Sequence, residues 1–308
     1  MKRILFIILS VLIGFIFIFS AYVKLYPIEL FELTFIDMGI ANWIFAPFIA
    51  RIMISMEFFI GLLLITNIFL NKFTLRFTIG VLILFTIYLT GLIILEGNSG
   101  NCKCFGNFIR LTPLDSIIKN CILIILSLVI YRFHNGINWK YFKTGFIIIA
   151  VSALTAPFIL NPVNMTVSEE ILNDSQLNYK LDLDVLYNNP KVVEPKENLR
   201  TGKHIIAFMS LTCPHCRIGA YKMYIIKKRN PAVPMFLVLN GDKENLKPFF
   251  DDTKAINIPY TILLGHDFVR LAGVNLPAIY WVDNGMVVNK TKYINFDQSK
   301  IEDWLKNK

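Results

Sequence analysis

Two pairs of closely spaced cysteines give this sequence its clearest chemistry. Cys213 and Cys216 belong to the tetrapeptide CPHC, and Cys102 and Cys104 belong to the stretch GNCKCFG. A thiolate attacks a disulfide through a mixed disulfide, so two neighbouring cysteines can accept or release two electrons. The spacing predicts two redox-active dithiols, and for Cys102 and Cys104 the alternatives are two free thiols or a structural disulfide that staples the loop. The fifth cysteine, Cys121, lies inside an apolar run, where a packing role is expected.

The CPHC motif comes directly after an apolar strand pattern, HIIAFMS, and opens a helix predicted to end near residue 228. Cys213 would then lie at a helix N-terminus, where free N–H groups and the helix dipole stabilise a thiolate. Cys216 follows about one turn later and can resolve a mixed disulfide, while His215 can add charge or a hydrogen bond. The alternatives are a structural disulfide or half of a zinc site. No second Cys-x-x-Cys is available to complete a zinc site, and no metal is expected.

Downstream patterns predict strands at 235–241 and 261–264, helices at 242–254 and 267–273, a hairpin around Asn284-Gly285, and a closing helix. With CPHC at the start of the first helix, residues 204–308 resemble the thioredoxin fold. The segment GVNLPAIYWVDNG is similar to the stretch in which that family places a cis-proline facing the active site. The resemblance assigns this place to Pro277. The CPHC tetrapeptide itself resembles that of strongly oxidising DsbA-like proteins.

The first half of the chain is far more apolar than the second. Overall, 55% of residues are hydrophobic and the mean hydropathy is +0.54. Four runs are long enough to cross a bilayer, and a fifth, shorter run carries no charge. Their predicted bounds are 4–22, 46–69, 75–95, 114–132 and 143–160. The first run could instead be a cleaved signal peptide, but no small-residue cleavage site follows it. The start of the fourth, TPLD, predicts an N-cap at Thr112 with Asp115 in the first turn.

The predicted architecture is therefore a membrane α-helical bundle followed by an α/β thioredoxin-like domain. The bundle has a four-helix core within 1–135 and a fifth span within 136–163. A polar linker and extension cover 164–203, and the thioredoxin-like domain covers 204–308.

Basic residues are distributed unevenly between the predicted loops. Seven fall on the side of the N-terminus and three on the other, which predicts a cytoplasmic N-terminus. The protein is thus expected to be a multi-pass protein of the inner (plasma) membrane. Both dithiols would lie on the extracytoplasmic side, where disulfides persist. The net charge of +9 comes from scattered side chains without a basic stripe, so a nucleic-acid partner is not expected.

The membrane half resembles the DoxX-like family, and within it the methylamine-utilisation protein MauE. The cysteine motif of that group is Cys-Gly-Cys-Phe-Gly, and this chain has Lys103 in place of the glycine. The resemblance implies a four-helix membrane domain, and it also implies a role in maturing a disulfide-rich dehydrogenase subunit. The residues that carry it are Ser20, Lys24, Leu25, Arg51, Glu57, Gly61, Cys102, Cys104, Phe105 and Gly106.

Three charged residues fall in or beside the spans: Lys24, Arg51 and Glu57. A charge within a bilayer is costly and suggests function, here a contact with quinone or a path for protons. A helix-packing ion network is the alternative, and Arg51 could also snorkel to the surface. Arg51 and Glu57 project about 120° apart on one helix, so direct pairing is not expected, whereas Lys24 could reach either.

The plan of a helix bundle with an outer dithiol, fused to a thioredoxin-like domain, resembles the bacterial vitamin K epoxide reductase–thioredoxin fusions. It predicts a membrane thiol–disulfide oxidoreductase in which Cys213 attacks extracytoplasmic client proteins. Cys102 and Cys104 would pass electrons to an acceptor such as quinone, with no cofactor bound tightly. The alternatives are a reductase that works outwards and a non-catalytic assembly factor for a disulfide-rich enzyme of the methylamine-dehydrogenase type.

Overall fold

A computed structural model describes residues 2–98, 111–136, 141–163, 177–190 and 192–307. The chain forms two compact units, Met1–Met165 and Thr166–Lys308. Cys102 and Cys104 lie outside the described residues, so their predicted roles rest on the sequence.

In the first unit, the described regular elements are helices. Its helices are α1 (Lys2–Leu25), α2 (Ile28–Asp37), α3 (Ala46–Thr66), α4 (Leu75–Glu96), α5 (Pro113–Phe133) and α6 (Phe142–Leu160). All but α2 are long and apolar enough to cross a membrane, which confirms the five predicted spans. The second span was predicted to reach residue 69 but ends at Thr66, where Asn67 and Phe69 adopt left-handed backbone conformations. The short helix α2 was not predicted.

Helices α1 and α3 run antiparallel in close contact. Gly14 of α1 faces Gly61 of α3, and a Cβ atom built on Gly14 would lie 2.7 Å from the Gly61 carbonyl oxygen. The Ser10 hydroxyl donates to the Leu64 carbonyl at 2.9 Å. Small residues allow the two backbones to approach this closely. In lipid such close van der Waals packing holds helices together, because lipid tails are as apolar as the side chains and the hydrophobic effect does not act between helices.

Helix α5 begins at the predicted residue with the predicted cap. The Thr112 hydroxyl accepts a hydrogen bond from the Asp115 backbone N–H at 3.2 Å, and the Asp115 carboxylate accepts one from the Thr112 backbone N–H at 3.1 Å. This reciprocal capping box, followed by Pro113, fixes the start of α5.

The second unit is a mixed sheet with helices. Its elements are β1 (Tyr179–Lys180), α7 (Asp184–Asn188), β2 (Lys203–Ser210), α8 (Pro214–Arg229), β3 (Met235–Asn240), α9 (Leu246–Thr253), β4 (Tyr260–Ile262), α10 (His266–Ala272), β5 (Ala278–Asp283), β6 (Met286–Thr291) and α11 (Gln298–Lys306). The strand order is β1-β6-β5-β2-β3-β4. Strands β2, β3 and β4 are parallel, and β5 runs antiparallel to β2 and to β6.

This arrangement confirms the predicted thioredoxin-like fold. A strand leads into the CPHC helix, a parallel strand–helix unit follows, and a hairpin closes the sheet. The hairpin turns at Asn284 and Gly285, whose φ angles of 48° and 79° are those that an Asn-Gly turn provides.

Residues 177–202, part of the predicted linker and extension, contribute to this domain. Strand β1 pairs with β6, and four leucines of the segment join the core around Phe208. They are Leu181, Leu183, Leu186 and Leu199. Because the segment is short and mostly polar, its hydrophobic spacing did not indicate a strand.

Candidate functional site

The CPHC dithiol lies where β2 passes into α8. Cys213 is the N-cap residue, with extended backbone angles, and its Sγ accepts a hydrogen bond from the Cys216 backbone N–H at 3.4 Å. Cys213 is partly exposed, whereas Cys216 is fully buried, and both are free thiols. The structure thus places Cys213 at the helix start that the sequence predicted, where free N–H groups favour a thiolate.

The second thiol is held in a very different environment. The Cys216 Sγ accepts a hydrogen bond from the Ser210 backbone N–H at 3.4 Å. Burial raises the pKa of the Cys216 thiol well above its usual range, and a hydrogen bond with Cys213 adds to the effect. The raised pKa keeps Cys216 protonated at neutral pH. The two thiols therefore differ: Cys213 is accessible at the start of α8, whereas Cys216 is buried and protonated.

Pro277 follows a cis peptide bond with Leu276, as predicted. It packs against Gly219 of α8: a Cβ atom built on Gly219 would lie 3.4 Å from the Pro277 Cγ and 3.3 Å from the Tyr293 Cβ. The second turn of the CPHC helix thus lies close to both segments, and the contact with Tyr293 is the tighter of the two. The sequence did not reveal the close contacts of Gly219, because one glycine inside a predicted helix does not indicate which loops pack against it.

His215 is exposed in the first turn of α8, and its ring stacks on that of Tyr293. The ring centroids are 5.4 Å apart and the planes meet at 25°. The Lys222 ammonium donates to the carbonyl oxygens of Tyr293 and Ile294 at 3.2 and 3.1 Å, which holds this segment against α8. The sequence had placed only His215 here. Tyr293 lies after the last strand, too far along the chain for local spacing to reveal it.

Arg217 holds the loop that precedes the dithiol. Its guanidinium pairs with the Asp252 carboxylate of α9 and donates to the Leu211 carbonyl at 3.1 Å. The backbone that leads into Cys213 is thereby tied to α9, which limits its movement when the thiol reacts.

A cleft of about 530 Å³ opens beside the dithiol. Its lining combines hydrogen-bonding groups with apolar side chains, and Val274 is 87% exposed. Ser210, whose backbone N–H bonds to Cys216, belongs to the lining, as does Leu276 of the cis peptide bond. The remaining residues that line it are Thr212, Asn240, Gly241, Asp242, Asn245, Phe268, Val269 and Gly273. A polypeptide segment next to the reacting thiol could lie along such a surface.

In the membrane unit, Lys24 of α1 pairs with Glu57 of α3. Both are buried, with 5% and 3% of their surfaces exposed. The Lys24 ammonium also donates to the Ser20 hydroxyl at 3.1 Å and lies 5.3 and 5.6 Å from the ring centroids of Phe31 and Phe85. Among the described residues, the second Glu57 oxygen, Oε2, has no hydrogen-bond partner. A buried ion pair with one carboxylate oxygen left over is therefore enclosed by aromatic rings.

Arg51 is buried in a separate charged group, with 3% of its surface exposed. It pairs with Glu32 of α2 at 2.6 Å and donates to backbone carbonyls at the end of α6. The two residues of α3 thus have different partners, as their angular separation predicted. The expectation that Arg51 snorkels is wrong, because its guanidinium is held inside the unit. Glu32 was missed because it lies in a helix that the sequence did not reveal.

Cys121 is exposed on the surface of α5. The expectation that it packs inside the bundle is therefore not met. Among the described residues, no group of three or more His, Cys, Asp or Glu side chains could hold a metal ion.

The fold and the CPHC geometry define the second unit as a thioredoxin-like domain with a Cys-x-x-Cys redox site. The first unit matches a known protein family. Residues 2–133 match the family described as "Methylamine utilisation protein MauE", which confirms the predicted MauE-like membrane domain.

Nearly the whole chain is similar to one curated protein. It is 28% identical to Protein TlpB of Flavobacterium psychrophilum over 335 aligned positions, which cover 93% of this chain and 90% of the relative. With its five apolar helices and its CPHC domain, the chain is a membrane-anchored thiol–disulfide oxidoreductase.

Two solved structures resemble the second unit. One is the thioredoxin domain of a thiol-disulfide oxidoreductase from Bacteroides vulgatus, with 16% identity, a TM-score of 0.30, and coverage of 35% of this chain and 81% of that chain. The other is a secreted disulfide oxidoreductase from Mycobacterium tuberculosis, with 16% identity, a TM-score of 0.27, and coverage of 34% and 80%. The fold assignment rests on the strand order and on the cis peptide bond at Pro277.

Proposed function

We propose that the CPHC site exchanges disulfides with client proteins outside the cytoplasm. The observation that carries this proposal is the contrast between a partly exposed Cys213 at a helix start and a buried, protonated Cys216. If the site is oxidised, a client thiolate attacks the Cys213 sulfur and releases Cys216 as the leaving group. A second client thiol then displaces Cys213, so the client gains a disulfide and CPHC gains two electrons and two protons.

The reduced CPHC site would pass its electrons to Cys102 and Cys104. A Cys213 thiolate attacks the Cys102–Cys104 disulfide, Cys216 resolves the mixed disulfide, and the pair is left as a dithiol. Both dithiols belong to one chain, and a tether gives an effective concentration on the order of millimolar when both sites can be reached together. The loop charges support placing both on the extracytoplasmic side of the plasma membrane, with the N-terminus in the cytoplasm.

A membrane quinone would then reoxidise Cys102 and Cys104. The step balances, because a dithiol and a quinone give a disulfide and a quinol, with two electrons and two protons transferred. Lys24 and Glu57 support a site for the quinone or its protons: the ammonium could donate to a quinone oxygen, and the free Glu57 Oε2 could accept a quinol proton. Arg51 has its donors engaged by Glu32 and by backbone carbonyls, so it would act on this site only indirectly.

A trapping experiment tests the thiol exchange. In the Cys216→Ala variant the resolving thiol is missing, so mixed disulfides through Cys213 should accumulate. We expect one adduct with Cys102 or Cys104 and others with client proteins, seen as bands that a reductant removes. The Cys213→Ala variant is the matched control and should form none. If Cys216→Ala forms no adduct with either partner, the relay and the client exchange are both wrong.

The direction of electron flow has its own measurement. Alkylation of intact cells reports the fraction of CPHC that is oxidised, with quinone present and after quinone synthesis is blocked. For an oxidase of client proteins, CPHC should be largely oxidised with quinone and become reduced without it. CPHC that stays reduced in both conditions would identify an outward reductase.

The match to the methylamine-utilisation family favours a second candidate function. In that case the chain holds a disulfide-rich enzyme during maturation, without turnover at its cysteines. A Cys213→Ser/Cys216→Ser variant separates the two: it should still support maturation of the client if the chain is a holding factor, and should fail if thiol exchange is required.

A further inference from the structure

The Arg51 guanidinium binds acceptors from three helical segments at once. It pairs with Glu32 of α2 at 2.6 Å, and it donates to the Pro47 carbonyl of α3 at 2.8 Å. Its Nε donates to the Asn161 carbonyl at 2.7 Å, and a terminal nitrogen donates to the Pro162 carbonyl at 3.3 Å. Asn161 and Pro162 directly follow α6, the last helix of the membrane unit.

These contacts lie at the C-terminal end of α6, where the last backbone carbonyls need hydrogen-bond donors. The last carbonyls of a helix have no partner within the helix, and the helix dipole makes that end attractive to a cation. Asn161 is tied down a second time, since its side-chain amide donates to the Leu25 carbonyl at the end of α1, at 3.4 Å. Along the rest of α6, the only side-chain bond to α3 among the described residues is the one from the Ser55 hydroxyl to the Leu154 carbonyl, at 3.4 Å.

Most of the α6 surface is exposed within the unit, and large side chains such as Ile159 and Leu160 point outwards. The start of α6 is held by edge-to-face aromatic contacts of Phe142 and Phe146 with Phe59, Phe69 and Phe73. Its end has no such cluster among the described residues, and the polar bonds of Arg51 tie that end to the preceding helices. From α6, the chain continues to the redox domain.

We propose that Arg51 is a positioning residue that fixes the point at which the chain leaves the membrane bundle for the redox domain. The inference rests on the proposed exchange between CPHC and Cys102/Cys104, because fixing the exit limits the volume that the tethered dithiol can search. Effective concentration in a tethered reaction depends on how well the tether geometry matches the span between the two sites. Arg51 thus raises the rate of the intramolecular step and leaves the chemistry of Cys213 unchanged.

Arginine suits this place better than lysine does. Its planar fork can bind a carboxylate and several carbonyls in fixed directions, whereas an ammonium is a single point charge. Glu32 balances its charge inside the unit, where an unpaired cation would be costly. Two variants follow. Arg51→Lys keeps the charge and loses the fork, and the double variant Arg51→Gln/Glu32→Gln removes the pair without leaving a lone buried charge.

The anchor can be measured without any redox chemistry. In a chain with all five cysteines replaced by serine, spin labels are attached at Leu160→Cys on α6 and Ile125→Cys on α5, two exposed positions. We expect a narrow distance distribution with Arg51 present and a broader one in Arg51→Lys and in the double variant. Arg76→Gln is the control, since Arg76 bonds to Tyr131 of α5 and, within the part of the chain that the structure describes, has no bond to α6. An unchanged distribution in both Arg51 variants would overturn the anchor.

The consequence for exchange is tested in the chain with its native cysteines, reconstituted in vesicles. We expect disulfide transfer between CPHC and Cys102/Cys104 to slow by up to about threefold in the Arg51 variants, which is the fall in effective concentration that a doubling of the free tether length produces. Reaction of CPHC with a small soluble disulfide should stay at the wild-type rate. Absence of transfer in the unmodified chain contradicts the proposed function, whereas equal transfer rates with and without Arg51 contradict the positioning role alone.

Discussion

The two polar centres of this chain are built in opposite ways. The dithiol of the CPHC site is held locally: Cys213 and Cys216 lie within four residues, and each sulfur accepts a hydrogen bond from a nearby backbone N–H. The charged pairs of the membrane unit are assembled over long distances in the sequence. Lys24 meets Glu57 across two helices, and Arg51 draws on α2, α3 and the end of α6.

This difference follows from the solvent of each unit. In the aqueous domain a helix start can present free N–H groups to a thiolate, and water solvates what is left over. In a bilayer, a charge is costly unless it pairs with an opposite charge or with backbone carbonyls. Here both ion-pair partners, Glu57 for Lys24 and Glu32 for Arg51, come from another helix. Replacing one residue should therefore remove chemistry in the first centre and stability in the second.

The largest effect is expected from Cys213→Ser. The hydroxyl is a far weaker nucleophile than a thiolate, so exchange at CPHC should be lost completely, while the fold is kept because the Ser Oγ can still cap α8. Reduction of a soluble disulfide substrate measures the loss, and far-ultraviolet circular dichroism checks the fold. Cys121→Ser is the control and should keep full activity. Residual exchange in Cys213→Ser that depends on Cys216 would show that the two thiols share the role of nucleophile.

The second effect tests the membrane centre. Glu57→Gln leaves the Lys24 ammonium buried without its counter-ion, which should cost about 3–5 kcal/mol of unfolding free energy. The double variant Lys24→Met/Glu57→Gln removes both charges and should recover most of that loss. Unfolding in mixed detergent micelles measures both. If the single and double variants are equally stable, the two side chains do not stabilise each other and the comparison between the centres fails.

The features that the sequence predicted are local in the chain, and the features that it missed depend on distant segments. The spans, the Thr112 cap, the CPHC helix and the hairpin were found because each has a local signal, such as hydrophobic length, a capping box or an Asn-Gly turn. Pro277 was found through the resemblance of its segment to the thioredoxin family. Helix α2, the four leucines before β2, Tyr293 and the partners of Arg51 were not found. Each of these depends on which distant segment packs against it, and residue spacing along one element carries no information about that.

Gly219→Ala tests whether packing between distant segments also matters in the redox domain. A methyl group would enter a space already bounded by Tyr293, Met209 and Pro277, at 3.3 to 3.4 Å. The tightest contact requires Tyr293 to move by a few tenths of an ångström, and such overpacking costs about 1–3 kcal/mol. Alanine recovers about 1 kcal/mol through its higher helix propensity, so the net loss of stability should be at most about 2 kcal/mol, while the shifted Tyr293 segment should slow exchange at Cys213. Denaturant unfolding and the exchange rate measure the two effects. Gly80→Ala is a matched control, because a Cβ atom on Gly80 would meet nothing within 4 Å.

If Gly219→Ala proves as stable and as fast as the unmodified chain, the close contact between α8 and the loops beside it has no functional weight. Loss of stability with an unchanged exchange rate would limit the role of Gly219 to packing.

The smallest effect concerns the pH dependence of the reduced domain. Burial raises the pKa of Cys216 in the folded state, so its contribution to stability is complete below the ordinary thiol pKa of about 8.5 and is lost as pH rises above it. In that range the unfolded chain releases a proton that the folded chain keeps. The unfolding free energy should fall by up to about 1.4 kcal/mol per pH unit for this one group.

Tyr280 contributes a slope of the same sign at higher pH, because burial also raises its pKa. The unfolding free energy of the reduced domain should therefore be measured between pH 7 and 10 together with that of the Cys216→Ala variant. The difference between the two pH dependences gives the contribution of the Cys216 thiol. The disulfide form has no thiol to titrate, so its curve should lack the slope that Cys216 contributes. If the curves for the reduced domain and for Cys216→Ala are parallel, the Cys216 thiol ionises as easily in the folded state as in the unfolded chain. The two thiols would then not differ in ionisation, and the proposal that Cys213 is the nucleophile would lose its support.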